Sequence, residues 1–92
     1  MPRPRLYRKI FFDPRITFYK PQGVPLRNLE IVNLTLEECE SLRLKNVEEF
    51  DQTKAAKKMG TSQSTFQRVL SSAQKKVSTA IVNGMAIKIL QK

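Results

Sequence analysis

The sequence predicts a mainly α-helical domain, and three observations lead to that prediction. All five prolines of the 92-residue chain fall within residues 1–25, so residues 26–92 lack the strongest helix breaker. Three stretches of this second part carry apolar residues at helical spacing. Each stretch begins beside a side chain that commonly caps a helix. The length of the chain fits a single domain.

The first predicted helix spans residues 36–45. Thr35 precedes it, and Glu38 completes a capping box in which each side chain satisfies the other residue's exposed backbone N–H. The apolar residues recur every three positions on the face expected to reach the core: Leu36, Cys39 and Leu42. The charged residues on the other side are expected to face solvent: Glu37, Glu40 and Arg43.

The second and third predicted helices, residues 52–59 and 63–82, are separated by a short turn that contains Gly60. Asp51 and Ser62 are the expected N-caps. Gly60 is expected to end the second helix in the left-handed conformation that glycine adopts easily. The third helix carries a long apolar repeat that should form its core face: Phe66, Val69, Leu70, Ala73, Val77, Ala80 and Ile81.

The two ends of the chain are expected to be extended. Residues 1–27 form a Pro/Arg-rich basic arm with room for one short strand at 16–19, and residues 28–92 form the domain. Residues 29–34 fit either a short strand or an irregular lead-in. Residues 85–90 resemble a strand, which could pair with the 16–19 segment or with another subunit.

Charge is distributed unevenly along the chain, whose net charge is +9. Residues 1–27 hold seven basic residues and one acid, residues 28–50 hold two and six, and residues 51–92 hold eight and one. No acid follows Asp51. Basic ends therefore flank an acidic middle, a balance that suits nucleic acid or an anionic membrane surface.

The corner between the second and third helices follows the plan of a helix-turn-helix. Ala56 provides a small side chain where the two helices cross, and Phe66 is placed to bury itself against the first of them. The outward residues of the third helix are the candidate DNA contacts: Gln63, Ser64, Gln67, Arg68, Ser71 and Lys75. Glutamine can bridge adenine, arginine can bridge guanine, and serine can reach phosphate.

Three basic candidates each fit two interpretations. Lys75 suits a phosphate contact or a solvated helix face. Arg3 and Arg5 lie on a stiff Pro-Arg-Pro-Arg segment, which could enter a DNA minor groove or act as a solubilising start.

Several other function classes are disfavoured. The chain has one cysteine and no histidine, which excludes an internal disulfide and disfavours a metal site. It also lacks a glycine-rich phosphate loop and a nucleophile–base pair, so we expect neither an enzyme nor a cofactor. No signal peptide or membrane-spanning run is visible, and we expect a cytoplasmic protein without membrane association.

Four segments carry a resemblance that covers nearly the whole chain: MPRPR at 1–5, FYKPQGVPLRNLE at 18–30, LTLEECESLRL at 34–44 and AAKKMGTSQSTFQRVL at 55–70. With these segments the chain resembles the prokaryotic family of predicted DNA-binding proteins called domain-of-unknown-function family 134. Members of that family carry a helix-turn-helix similar to region 4 of the sigma-70 transcription factors. The resemblance therefore implies sequence-specific binding of double-stranded DNA and transcriptional regulation.

Two further expectations concern partners. Small helix-turn-helix domains often bind two half-sites as dimers, so a homodimer is expected. The alternative to DNA binding is a protein-interaction module, in which the acidic middle and apolar tail dock on the transcription machinery without contacting DNA.

Overall fold

A computed structural model describes residues 17–90 of the chain. These residues form three α-helices and three short strands: β1 (Phe18–Tyr19), β2 (Ile31–Leu34), α1 (Leu36–Leu42), α2 (Gln52–Met59), α3 (Gln63–Asn83) and β3 (Ala86–Ile89). The prediction of a mainly helical fold is thereby confirmed. Most of the predicted N-terminal arm lies outside the described residues, and the division of the chain at residue 27 stays a prediction.

Helix α1 begins with the predicted capping box. Thr35 Oγ1 accepts a hydrogen bond from the backbone N–H of Glu38 at 3.1 Å, and Glu38 Oε1 accepts one from the N–H of Thr35 at 2.9 Å. The predicted end at residue 45 is replaced by a π-helical turn over Arg43–Val47. This wider turn carries Leu44, which is fully buried.

Helices α2 and α3 meet at a tight corner. Asp51 Oδ1 accepts a hydrogen bond from the backbone N–H of Lys54, and Ser62 Oγ accepts one from the N–H of Thr65, so both predicted N-caps are confirmed. Gly60 has φ 74° and ψ 35°, the left-handed conformation expected of it. Because residues with a Cβ rarely adopt this backbone conformation, the glycine allows the chain to turn within three residues.

The three strands form one sheet in the order β1-β3-β2. β1 runs antiparallel to β3, with Phe18 opposite Lys88, while β2 runs parallel to β3, with Leu34 opposite Ile89. The predicted C-terminal strand therefore pairs within its own chain. A parallel pair needs a crossover connection, and here all three helices lie between β2 and β3.

Two buried clusters hold the helices and the sheet together, and α3 contributes to both. The cluster at the α2–α3 corner consists of Leu44, Ala55, Ala56, Met59, Phe66 and Leu70. The cluster beneath the sheet consists of Leu34, Cys39, Ala73 and Ile89. Helix α3 thus extends from the corner to the sheet; its first half packs on α2, and the part beyond it packs on α1, β2 and β3.

Two sequence predictions about individual side chains were wrong. Glu40 was expected to face solvent but is fully buried; its pairing with Arg43 offsets the water that the carboxylate loses on burial. Ile81 was expected in the core but is 71% exposed, because the last turns of α3 bury Ala80 and leave the neighbouring side of the helix uncovered. No helix within residues 17–90 is both long and apolar enough to cross a membrane.

Candidate nucleic-acid interface

The first four turns of α3 present a polar surface on the side away from the core. Phe66 and Leu70 are buried on the inner side, while the outer residues are exposed. Six predicted contact residues lie together on this outward face of α3: Gln63, Ser64, Gln67, Arg68, Ser71 and Lys75. The other two predicted contacts, Arg3 and Arg5, lie outside the described residues.

Neighbouring side chains of this outward face are hydrogen-bonded to each other. Gln67 Nε2 donates to Ser71 Oγ at 2.8 Å, one helical turn further along. Arg68 Nη2 donates to Thr65 Oγ1 at 3.4 Å, a longer and weaker contact that leaves most of the guanidinium free. Exposed polar side chains are therefore partly oriented before any ligand arrives.

Helix α2 carries further exposed positive charge, and this contribution was missed at the level of sequence. Lys54, Lys57 and Lys58 are all exposed, and none has a carboxylate within 4.0 Å among residues 17–90. The Nζ atoms of Lys54 and Lys58 lie 4.8 and 5.2 Å from the ring centroid of Phe50. The density of lysine between Asp51 and Gly60 was the signal that could have identified them.

A buried carboxylate joins α1 to α3 behind the outward face. Ser72 Oγ donates to Glu38 Oε2 at 2.6 Å, and Lys76 Nζ donates to Glu38 Oε1 at 3.0 Å. Burial by itself raises the pKa of Glu38. The hydrogen bonds from Ser72 and the Thr35 N–H, and the hydrogen bond and charge of Lys76, outweigh burial and lower the pKa below 4.5. Lys76 therefore holds α3 against α1.

This lowered pKa predicts an acid-sensitive contribution to stability. Ionised Glu38 stabilises the fold above the unfolded pKa, near 4.5, and the contribution disappears as the pH falls through the lower native value. We expect Glu38→Gln to melt below the parent at neutral pH, with the gap between them narrowing below about pH 5. The exposed acid Glu30→Gln is the matched control. A gap that stays constant with pH would contradict this assignment of Glu38.

Cys39 is buried, as predicted. Burial, and secondarily the negative charge of Glu38, raises the pKa of the Cys39 thiol to about 11. The thiol is therefore protonated at neutral pH and packs as a small apolar side chain. Within residues 17–90 no group of three or more Cys, Asp or Glu side chains is arranged to hold a metal ion.

Comparison with known proteins identifies relatives of the chain. The family model described as "Protein of unknown function DUF134" matches residues 1–91. A UPF0251 protein of Moorella thermoacetica is 49% identical over 89 residues, which cover 97% of this chain and 60% of that protein. Those of Desulforudis audaxviator and Caldanaerobacter subterraneus are 48% and 45% identical, with 58% and 75% of their lengths covered. No solved structure matches the chain.

Proposed function

We propose that this chain, which belongs to the family of proteins of unknown function DUF134, is a transcriptional regulator that binds specific sequences in double-stranded DNA. In this proposal α2 and α3 form a helix-turn-helix similar to region 4 of the sigma-70 factors. The observation that carries the proposal is the outward face of α3, which combines exposed amides, hydroxyls and cations with no acid. These groups match the hydrogen-bonding edges of bases and the charge of phosphates.

The distribution of charge supports the same conclusion. From residue 52 onward the chain has no carboxylate side chain, so nothing on α2 or α3 repels a phosphate backbone. In the acidic middle, Glu38, Glu40 and Glu48 are paired with Lys76 or Arg43. Their negative charges are thus partly neutralised within the protein, while the lysines of α2 remain available to DNA.

The dimensions of α3 suit a major groove. At 1.5 Å per residue, the segment from Gln63 to Lys75 is roughly 18 Å long, about the rise of five base pairs. The N-terminal residues of such a helix contact base edges, and positions further along approach the backbone. We assign base contacts to Gln63, Gln67 and Arg68, and backbone contacts to the others: Ser64, Ser71 and Lys75.

The proposal extends to the rest of the protein. Arg3 and Arg5 would enter the adjoining minor groove. Two copies of the chain would occupy two half-sites of the target DNA, in the cytoplasm of a prokaryotic cell. Contact with the transcription machinery would then follow from binding beside a promoter.

Salt dependence of duplex binding tests this function. With about 6–8 phosphate contacts, log affinity should fall against log salt concentration with a slope of roughly −5 to −7. Arg68→Ala should melt like the parent, because surface substitutions change stability by less than about 0.5 kcal/mol. It should weaken binding about 5- to 100-fold if Arg68 contacts a base, or lower the salt slope by about one if it contacts phosphate.

The matched control is Lys88→Ala, which removes one exposed cation from β3 and leaves α3 intact. Its effect on binding should be much smaller than that of Arg68→Ala. Absence of salt-sensitive duplex binding by the parent would refute the proposal. It would favour docking on the transcription machinery without contact to DNA.

A further inference from the structure

The hydrogen bond between Gln67 and Ser71 restricts what the glutamine can offer a ligand. A free glutamine amide has two N–H donors and one carbonyl acceptor. Ser71 Oγ accepts one of the two donors at 2.8 Å. The amide of Gln67 therefore presents one N–H and one carbonyl oxygen to anything that approaches the outward face of α3.

Adenine and guanine differ in how well they match the one N–H and the one carbonyl oxygen that Gln67 still offers. In the major groove adenine offers one acceptor, N7, and one donor, the N6 amino group, whereas guanine offers two acceptors, N7 and O6. The remaining N–H and carbonyl oxygen of Gln67 pair with both groups of adenine. Against guanine the single N–H can satisfy only one acceptor, and the carbonyl oxygen of Gln67 faces O6 without a hydrogen between them.

Resting on the proposed function, we propose that Ser71 is a specificity-determining positioning residue that strengthens the selection of adenine over guanine by Gln67 at one base pair of the target. Ser71 acts through Gln67 and need not touch the base. Both side chains are exposed in the free protein, so their bond contributes little to folding. Once water is excluded from the groove, leaving a donor unpaired is costly, and the contact with Ser71 is retained.

Selection from random duplex DNA provides the test. For the parent we expect one position at which adenine is enriched over guanine by roughly 5- to 100-fold, the range of a good bidentate contact. Ser71→Ala leaves the second N–H of Gln67 without its partner and available to guanine O6, so the adenine-to-guanine ratio at that position should fall below that of the parent. Ser71→Thr keeps the hydroxyl and should restore the ratio.

The control is Ser78→Ala, which removes another exposed hydroxyl from the outer side of α3, two turns beyond Ser71. Its selected sequence should equal that of the parent. Gln67→Ala should abolish the preference at the same position that Ser71→Ala relaxes, which identifies the contacted base pair. All variants should melt like the parent, so that a change in selected sequence cannot be attributed to unfolding.

The outcomes separate this inference from the proposed function. If the parent selects a defined sequence and Ser71→Ala leaves every base ratio unchanged, the role of Ser71 is refuted and DNA binding stands. The role is likewise refuted if Ser71→Ala and Gln67→Ala alter different positions. If the parent shows no salt-sensitive binding, both the proposed function and this inference fail.

Discussion

Phe66→Ala is expected to lower the free energy of unfolding by about 3–5 kcal/mol. Phe66 is fully buried and is the largest side chain in the cluster at the α2–α3 corner. Its removal would leave a cavity between Ala55, Met59 and Leu70. Ala55 is small, and Met59 and Leu70 are held in place by their helices, so these side chains cannot easily fill the cavity. A domain of this size commonly has only about 5–15 kcal/mol of stability in total, so the loss is severe.

Thermal unfolding followed by circular dichroism measures this effect. For a domain of about 60–100 residues, each kcal/mol lowers the melting temperature by about 4–8 °C, so a fall of roughly 12–40 °C is expected. Ile81→Ala is the matched control on the same helix, because Ile81 is 71% exposed and should cost less than about 0.5 kcal/mol. A Phe66→Ala variant that melts within a few degrees of the parent would rule out the described packing of α3 on α2.

The second large effect is expected from Arg43→Met. Arg43 Nε and Nη2 donate to the two carboxylate oxygens of Glu40 at 3.0 and 2.8 Å, while Nη1 donates to Glu48 at 3.1 Å. The Glu40 side chain is completely buried, whereas that of Arg43 is 28% exposed. Methionine keeps much of the aliphatic length of arginine but leaves the buried carboxylate without its cation. We expect a loss of about 2–4 kcal/mol, somewhat below the usual cost for a pair buried on both sides.

A double substitution distinguishes this cause from a simple loss of packing. Glu40→Leu together with Arg43→Met removes both charges, and it should recover most of the stability lost in Arg43→Met. Glu48→Gln is the control, because it removes only the more exposed partner of Arg43. It should lower the free energy of unfolding by less than about 1 kcal/mol. If the double variant is as unstable as Arg43→Met alone, then the unpaired carboxylate of Glu40 is not the source of the loss. Chemical denaturation at neutral pH gives the three free energies.

The starts of all three helices and the end of α2 were predictable because their chemistry is local. Thr35, Asp51 and Ser62 each cap a backbone N–H three residues away, and Gly60 adopts its left-handed conformation without help from distant residues. The bounds of α2 and α3 followed from these caps and from the apolar period. The outward face of α3 was likewise predictable, since the period that buries Phe66 exposes the polar residues between the apolar ones.

Other features depend on residues far apart in the chain, so no local pattern encodes them. The π-helical turn at Arg43–Val47 replaced the predicted end of α1, and its Leu44 is buried in one cluster with Met59 and Phe66 from the two later helices. The sequence of strand β2 is ambiguous between a strand and an irregular segment. It forms a strand by pairing with β3, which follows all three helices in the chain.

The sequence by itself determined which residues form helices and which side of α3 faces outward, because caps, glycine turns and helical periodicity act over four residues or fewer. Only the tertiary structure decided the side-chain partners. Lys76 pairs with Glu38, which lies 38 residues earlier in the chain, so the charge of Lys76 is neutralised within the fold. Lys75, its neighbour in sequence, remains exposed. Ile81 continues the apolar period but is uncovered, because burial requires a packing partner, and the sheet covers only one side of the last turns of α3.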